Sequence, residues 1–201
     1  MPIATALFHN GVADWEAGVV LPLLHATFGF DVRVATPDGR GVESIGGVRV
    51  EGDTSFDTVD YAGTDLLLVI GSDSWAKDAD AALEAKLCAR VASGRPLAAI
   101  CGGTLPLARA GLLDGRAHTS NGLDFLKTHA PAYRGEDDYQ DVPHAVTEGS
   151  VVTAPGTAPL SFACAAAALV LPERRAEIEG FWNMVRRESE VLGGDLGRAL
   201  G

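Results

Sequence analysis

The chain has 201 residues, of which 47% are hydrophobic and 21% charged. This fits one globular domain spanning residues 1–201 with a core of its own, and excludes a disordered or fibrous chain. Sixteen Lys and Arg against 27 Asp and Glu give a net charge of −11, which argues against nucleic acid and anionic membranes as partners. The three cysteines, Cys88, Cys101 and Cys164, are too few and too scattered for a disulfide framework or a CxxC motif. The opening MPIATALFHNG lacks the basic stretch of a secretory leader. The longest apolar run, Ala158 to Leu171, is short for a bilayer. The expectation is a cytoplasmic protein.

In chain order, Ile3–Phe8 reads as a buried strand. Asp14 is placed to cap a helix that runs to Phe28 and stops at Gly29. Val32–Ala35 is the next strand, and Gly41–Glu51 a small hairpin turning at Gly46-Gly47. Asp65–Ile70 (DLLLVI) and Pro96–Ile100 (PLAAI) are continuous apolar strands, the pattern of a sheet covered on both faces. Ala79–Ser93 is an amphipathic helix between them, and Thr104–Ala110 is a helix that starts directly after the third buried strand. Ala158–Leu171 is apolar nearly all round and reads as a buried helix. After the break at Pro172, Glu173–Leu192 forms a last helix carrying Ile178, Phe181, Trp182 and Val185. The alternation predicts a three-layer α/β/α sandwich around a mostly parallel sheet. In such sheets ligands bind beyond the carboxyl ends of the strands.

Cys101 occupies that location. A strand ends at Ile100, Cys101 follows, then Gly102-Gly103 and a helix. This is the order of a nucleophile elbow, in which glycine permits the tight turn that lifts a side chain above the sheet. The first N–H groups of the helix are expected to stabilise a thiolate and lower the Cys101 pKa. Cys88, in an Ala-rich helix, and Cys164, inside FACAAAA, read as packing. The five histidines show no HxH or HExxH spacing, and GSDSW and GGT match no phosphate-binding loop, so neither metal nor nucleotide cofactor is expected.

With DWE at Asp14–Glu16, DLLLVIGS, AICGG followed by ARAGLLDGR, and VVTAPGTAPLSFA at Val151–Ala163, the chain resembles the ThiJ/PfpI superfamily over most of its length. The resemblance implies the flavodoxin-like, class I glutamine amidotransferase-like fold, with Cys101 as nucleophile. It implies that Glu16 hydrogen-bonds the cysteine, with a carboxyl pKa raised by burial so that it donates to a thiolate. It also implies backbone oxyanion donors at Gly71, Ser72 and Gly102; Trp75, in the same loop, is a candidate wall of the site, with an ordinary loop aromatic as the alternative.

The family's strand histidine is replaced. Where relatives read Thr-Thr-His, this chain has HTSN, which places Asn121 at that position and His118 three residues earlier, on the opposite face of a regular strand. Asn121 orients a substrate or hydrogen-bonds the thiol but is no general base. Protease and glutamine amidotransferase chemistry is therefore not expected unless His129 or His144 arrives from a loop. Three readings follow. One is a cysteine-dependent hydrolase, hydratase or glyoxalase-like enzyme for a small electrophile. The second is a redox-responsive or chaperone-like protein with an oxidisable Cys101. The third, a ligand-binding regulator, is least favoured because no helix-turn-helix is evident. Relatives are often homodimers; Phe181 and Trp182 suit either a partner or the chain's own sheet.

Overall fold

The structure is a computed structural model, which describes residues 1–187 together with positions 190 and 193. The far end of the helix expected up to Leu192 lies outside the described residues.

Apolar runs make the sheet. Strands β1 (Ile3–Leu7), β2 (Asp31–Thr36), β6 (Leu66–Val69), β7 (Leu97–Ile100) and β9 (Val151–Ala154) lie parallel at its centre. The two-residue β5 (Thr54–Ser55) adds to one edge in parallel, and β8 (Val146–Glu148) closes the other edge antiparallel. The order is β5-β2-β1-β6-β7-β9-β8. A separate hairpin pairs β3 (Val42–Glu43) with β4 (Arg49–Val50), its turn passing Gly47 at φ 77°. β6 and β7 are buried along their whole length, as the unbroken hydrophobic runs require.

Successive strand residues serve opposite layers. Ala6, Leu66, Leu68, Ala98, Ile100 and Val152 face α1 (Asp14–Pro22) and α5 (Pro159–Val170). Leu67, Val69, Leu97 and Ala99 face α2 (Ala81–Ala92), α3 (Thr104–Arg109) and α4 (Leu123–His129). Alanines on both sides, Ala98 in the sheet and Ala163, Ala166 and Ala167 in α5, let that helix lie close to the strands. The last helix, α6 (Arg175–Val185), joins the same layer through Ile178 and Phe181. The outcome is the three-layer α/β/α sandwich with a mostly parallel sheet. Among the described residues no helix is long and apolar enough to cross a membrane.

The departures from sequence expectation are local. Ala13, not Asp14, is the N-cap of α1. The Asp14 carboxylate instead accepts the Gly46 N–H at 2.7 Å, tying the hairpin turn to the helix start. The helix does not run regularly to Phe28. Pro22 has no N–H to donate, and Leu23–Thr27 forms a π turn. The segment after Gly115 is not a strand; it makes a single bridge, His118 with Tyr139.

One buried cation braces the end of the sheet away from Cys101. Arg90 of α2 is 2% exposed. Its guanidinium donates to the carbonyls of Tyr61, Thr64, Asp65 and Pro96 over 2.7–3.1 Å, the chain entries to β6 and β7. Burial lowers its pKa to about 10, still far above neutrality, so the charge persists. Arg90→Met keeps the stem but strips donors from four carbonyls. A loss of about 3 kcal/mol or more is expected in urea unfolding followed by circular dichroism.

Candidate functional site

Cys101 sits at the carboxyl end of β7 with φ 57°, the single non-glycine residue with positive φ among those described. A left-handed turn costs an L-residue about 1–2 kcal/mol, so the surroundings must hold it. They do so by backbone contact. A methyl group on Gly102 would lie 2.5 Å from the Ser72 carbonyl oxygen, and one on Gly103 would lie 2.8 Å from the Val69 carbonyl carbon. Only glycine lets the elbow press against the end of β6. Behind the turn, the Thr104 hydroxyl donates to the Cys101 carbonyl at 2.7 Å and also meets the Ser120 hydroxyl at 2.7 Å.

Glu16, in the first turn of α1, is fully buried beside the cysteine. Its Oε2 accepts the Gly71 N–H at 2.8 Å. Its Oε1 makes no hydrogen bond of good geometry, and the group beside it is the Cys101 thiol. A methyl on Gly156 would lie 2.9 Å from Sγ and 3.0 Å from Oε1; one on Gly71 would lie 2.6 Å from the Cys101 Cβ. Two glycines thus flank the pair and leave room for nothing else.

Asn121 completes the cluster. Gly156 N–H donates to Oδ1 at 2.9 Å, which fixes the orientation of the amide. Nδ2 must then face the sulfur, and it donates to Sγ at 3.1 Å. A donor to sulfur favours the thiolate, as does the adjacent Gly102 N–H. These do not prevail. Burial, followed by the Glu16 charge, pushes the Cys101 thiol up to about 11. The lowering expected from the helix start is thus reversed; the turn at Cys101–Gly103 is 3₁₀ and the helix beyond it has six residues. Burial also lifts Glu16 to about 7, against the Gly71 hydrogen bond and the neighbouring Cys101 thiol, which pull it down. Near neutral pH the proton accordingly rests on sulfur while Glu16 gains its charge.

The remaining expected residues lie as follows. Gly71 is in contact, but its N–H is held by Glu16 and is not free for an oxyanion. Ser72 Oγ donates to the Asn10 carbonyl at 2.6 Å and accepts from Ser74 N–H at 3.0 Å, so it caps the loop. Trp75 points away from the site: it is buried, donates to the Ile70 carbonyl at 2.8 Å and stacks on Phe56. The pocket wall is Trp15 instead, half exposed, with Nε1 bonded to the Gly156 carbonyl at 2.9 Å. With Pro155, Gly156, Thr157 and Pro159 it borders an open cleft of about 680 Å³ above Cys101 and Asn121. Trp15 lies inside the DWE motif and Gly156 inside the Gly-Thr-Ala turn, so both stood in segments the sequence already marked.

His118 is a buried core histidine, held by the Tyr133 hydroxyl at 2.7 Å and the Arg116 carbonyl at 2.6 Å. Burial lowers its pKa. His129 packs on Phe125, and His144 is exposed and bonded to the Ala145 carbonyl. None of the three lines the pocket. Among the described residues no group of three or more His, Cys, Asp or Glu is placed to hold a metal.

The chain matches the model of the DJ-1/PfpI family over residues 3–169. It is 35% identical to a Bacillus subtilis protein named uncharacterized protease YoaZ, over 78% of this chain and 77% of that one. A DJ-1 superfamily protein of Agrobacterium tumefaciens superposes with a TM-score of 0.80 at 38% identity, covering 90% of this chain and 97% of that one. A thiJ/pfpI family protein of Bacillus anthracis does so with a TM-score of 0.75 at 30% identity, covering 90% and 89%. The fold, the elbow cysteine and these likenesses agree: the chain belongs to the DJ-1/PfpI family.

Proposed function

We propose that the chain is a cysteine-dependent enzyme acting on a small carbon electrophile, such as an α-oxoaldehyde, an isonitrile, an amide or an ester. The observation that carries this reading is the free Oε1 of buried Glu16 beside the Cys101 thiol, with the Asn121 amide donating to the same sulfur. Glu16 is then the general base that the missing histidine would have been. The thiol proton passes to Oε1 as Sγ bonds to the electrophilic carbon. For a carbonyl substrate charge develops on the oxygen, and for an isonitrile on the attacked carbon; the second Nδ2 hydrogen of Asn121 and the Gly102 N–H lie to hold it. The Glu16 carboxyl returns the proton to the atom that bears this charge. Hydrolysis, hydration or rearrangement follows according to the substrate. The same cysteine would suit a redox sensor, but a roomy pocket walled by Trp15, Pro155 and Pro159 fits a carbon substrate better than a peroxide.

A screen of these four electrophile classes tests the reading: Cys101→Ala and Cys101→Ser are expected to lose about 100-fold or more in kcat/KM. Undiminished turnover by Cys101→Ser would sink the proposal.

The Glu16 pKa of about 7 sets the pH profile, so kcat/KM should rise through about pH 7 and then level off. Glu16→Gln should flatten that rise and cost about 10²–10⁴-fold. The raised carboxyl also acts on folding. Its neutral form suits the fold below its ordinary value of 4.5, and that advantage is lost as pH climbs through about 7. Wild type should lose on the order of 3 kcal/mol across this window, and Glu16→Gln should not, by urea unfolding at pH 4.5 and 8.

Gly156→Ala would drive a methyl into Sγ and Oε1. The expected result is a fall in kcat/KM of about tenfold or more, with little change in the far-ultraviolet spectrum.

A further inference from the structure

We infer that the Cys101 pocket selects uncharged electrophiles carrying a flat apolar group, which lies against Trp15, and that it discriminates against anions. This rests on the cysteine-dependent reading only for turnover; the selectivity belongs to the pocket. Among the described residues no lysine or arginine lines it, and its polar side chains beyond Cys101 are Asn121 and Thr157. The backbone offers an anion few donors: the Gly102 N–H already faces the Cys101 sulfur, and Thr157 supplies one more at the mouth. Gly156 N–H is held by Asn121 Oδ1, and Ala158 N–H by the Pro155 carbonyl at 2.9 Å. Pro155 and Pro159 have no N–H. Pro159 opens α5, so the helix start at the mouth presents a ring where another residue would present a donor. The buried Glu16 carboxylate and the net charge of −11 oppose an anion further.

What the pocket does offer is surface. Trp15 is half exposed, yet its indole is fixed by the bond to the Gly156 carbonyl. A fixed aromatic face bounded by two prolines stacks on a planar group without losing rotamer freedom of its own. The volume of about 680 Å³ also exceeds what a three-carbon aldehyde needs and accommodates a ring-sized substituent.

Alkylation of Cys101 measures this without enzymatic turnover. Sγ displaces iodide from an iodomethyl carbonyl reagent, an S–C bond replaces the C–I bond, and the thiol proton passes to solvent. The probes are iodoacetamide, its N-phenyl analogue and iodoacetate, each rate divided by that of glutathione with the same reagent. Peptide mass spectrometry follows Cys101, with Cys88 and Cys164 as internal references. Relative to iodoacetamide, the N-phenyl reagent is expected to be favoured about threefold to tenfold and iodoacetate disfavoured by about tenfold or more. Trp15→Ala should abolish the phenyl advantage, and Trp15→Phe should retain part of it. A phenyl advantage that survives Trp15→Ala, or iodoacetate matching iodoacetamide, would overturn the inference. If alkylation shows the selectivity while the electrophile screen shows no turnover, the pocket assignment stands and the enzymatic reading falls.

Discussion

Two backbones approach too closely at the carboxyl end of the sheet for any side chain to fit between them. Gly102 and Gly103 press on the carbonyl ends of Ser72 and Val69, and the chain leaving β7 must turn at once. Cys101 takes the strain of that turn, and the sulfur projects above the sheet as a result. A larger residue at either glycine would push the elbow off β6. It would separate the sulfur from the Glu16 carboxyl that reaches it from α1. The layers above and below serve to make this contact rigid: the strands are buried on both faces, and their residues interlock with helices on each side.

The electrostatics follow from the same confinement. Cys101 and Glu16 share a space closed by Gly71 and Gly156, and neither ionises easily there. Burial places the first loss of a proton on the carboxyl near 7 and keeps the thiol protonated to about 11. In the reaction proposed above, the pair passes a proton as bonding begins rather than storing a thiolate beforehand. A group that attracts the proton only as bonding begins does not need to be a histidine.

Much of the frame was legible in the sequence because burial on two faces leaves a simple mark. DLLLVI and PLAAI are strands, and the Cys-Gly-Gly turn lies where their order requires. The short elements were not legible. β5 has two residues, and α4 has seven and follows an uncapped Gly122 at φ 147°, so neither carries a periodic signal. In the site, the strand–Cys–Gly-Gly–helix order pointed to Cys101, while Glu16 and Asn121 were reached only through the family resemblance. Neither told which of Trp15 and Trp75 turns toward the pocket, since both stand in polar loop-edge contexts and orientation is set by tertiary packing. The role of Gly156 was hidden for a similar reason: a glycine required by close approach looks like any turn glycine. The thiol lowering expected at Cys101 is overturned because burial, joined by the Glu16 charge, pushes it up.

The segment after Gly115 forms no strand of the sheet and makes a single isolated β-bridge, yet it delivers Asn121 to the sulfur. The anchors around it are side-chain contacts, Thr119 N–H to the Thr153 hydroxyl and the Ser120 hydroxyl to Thr104. Position 121 is consequently exchangeable. Its side chain stands in open solvent on one side, and no strand pairing depends on its identity. Divergence within this architecture has a natural point of entry there, where the reaction can be rewritten one residue at a time while the elbow that aims the sulfur stays as it is.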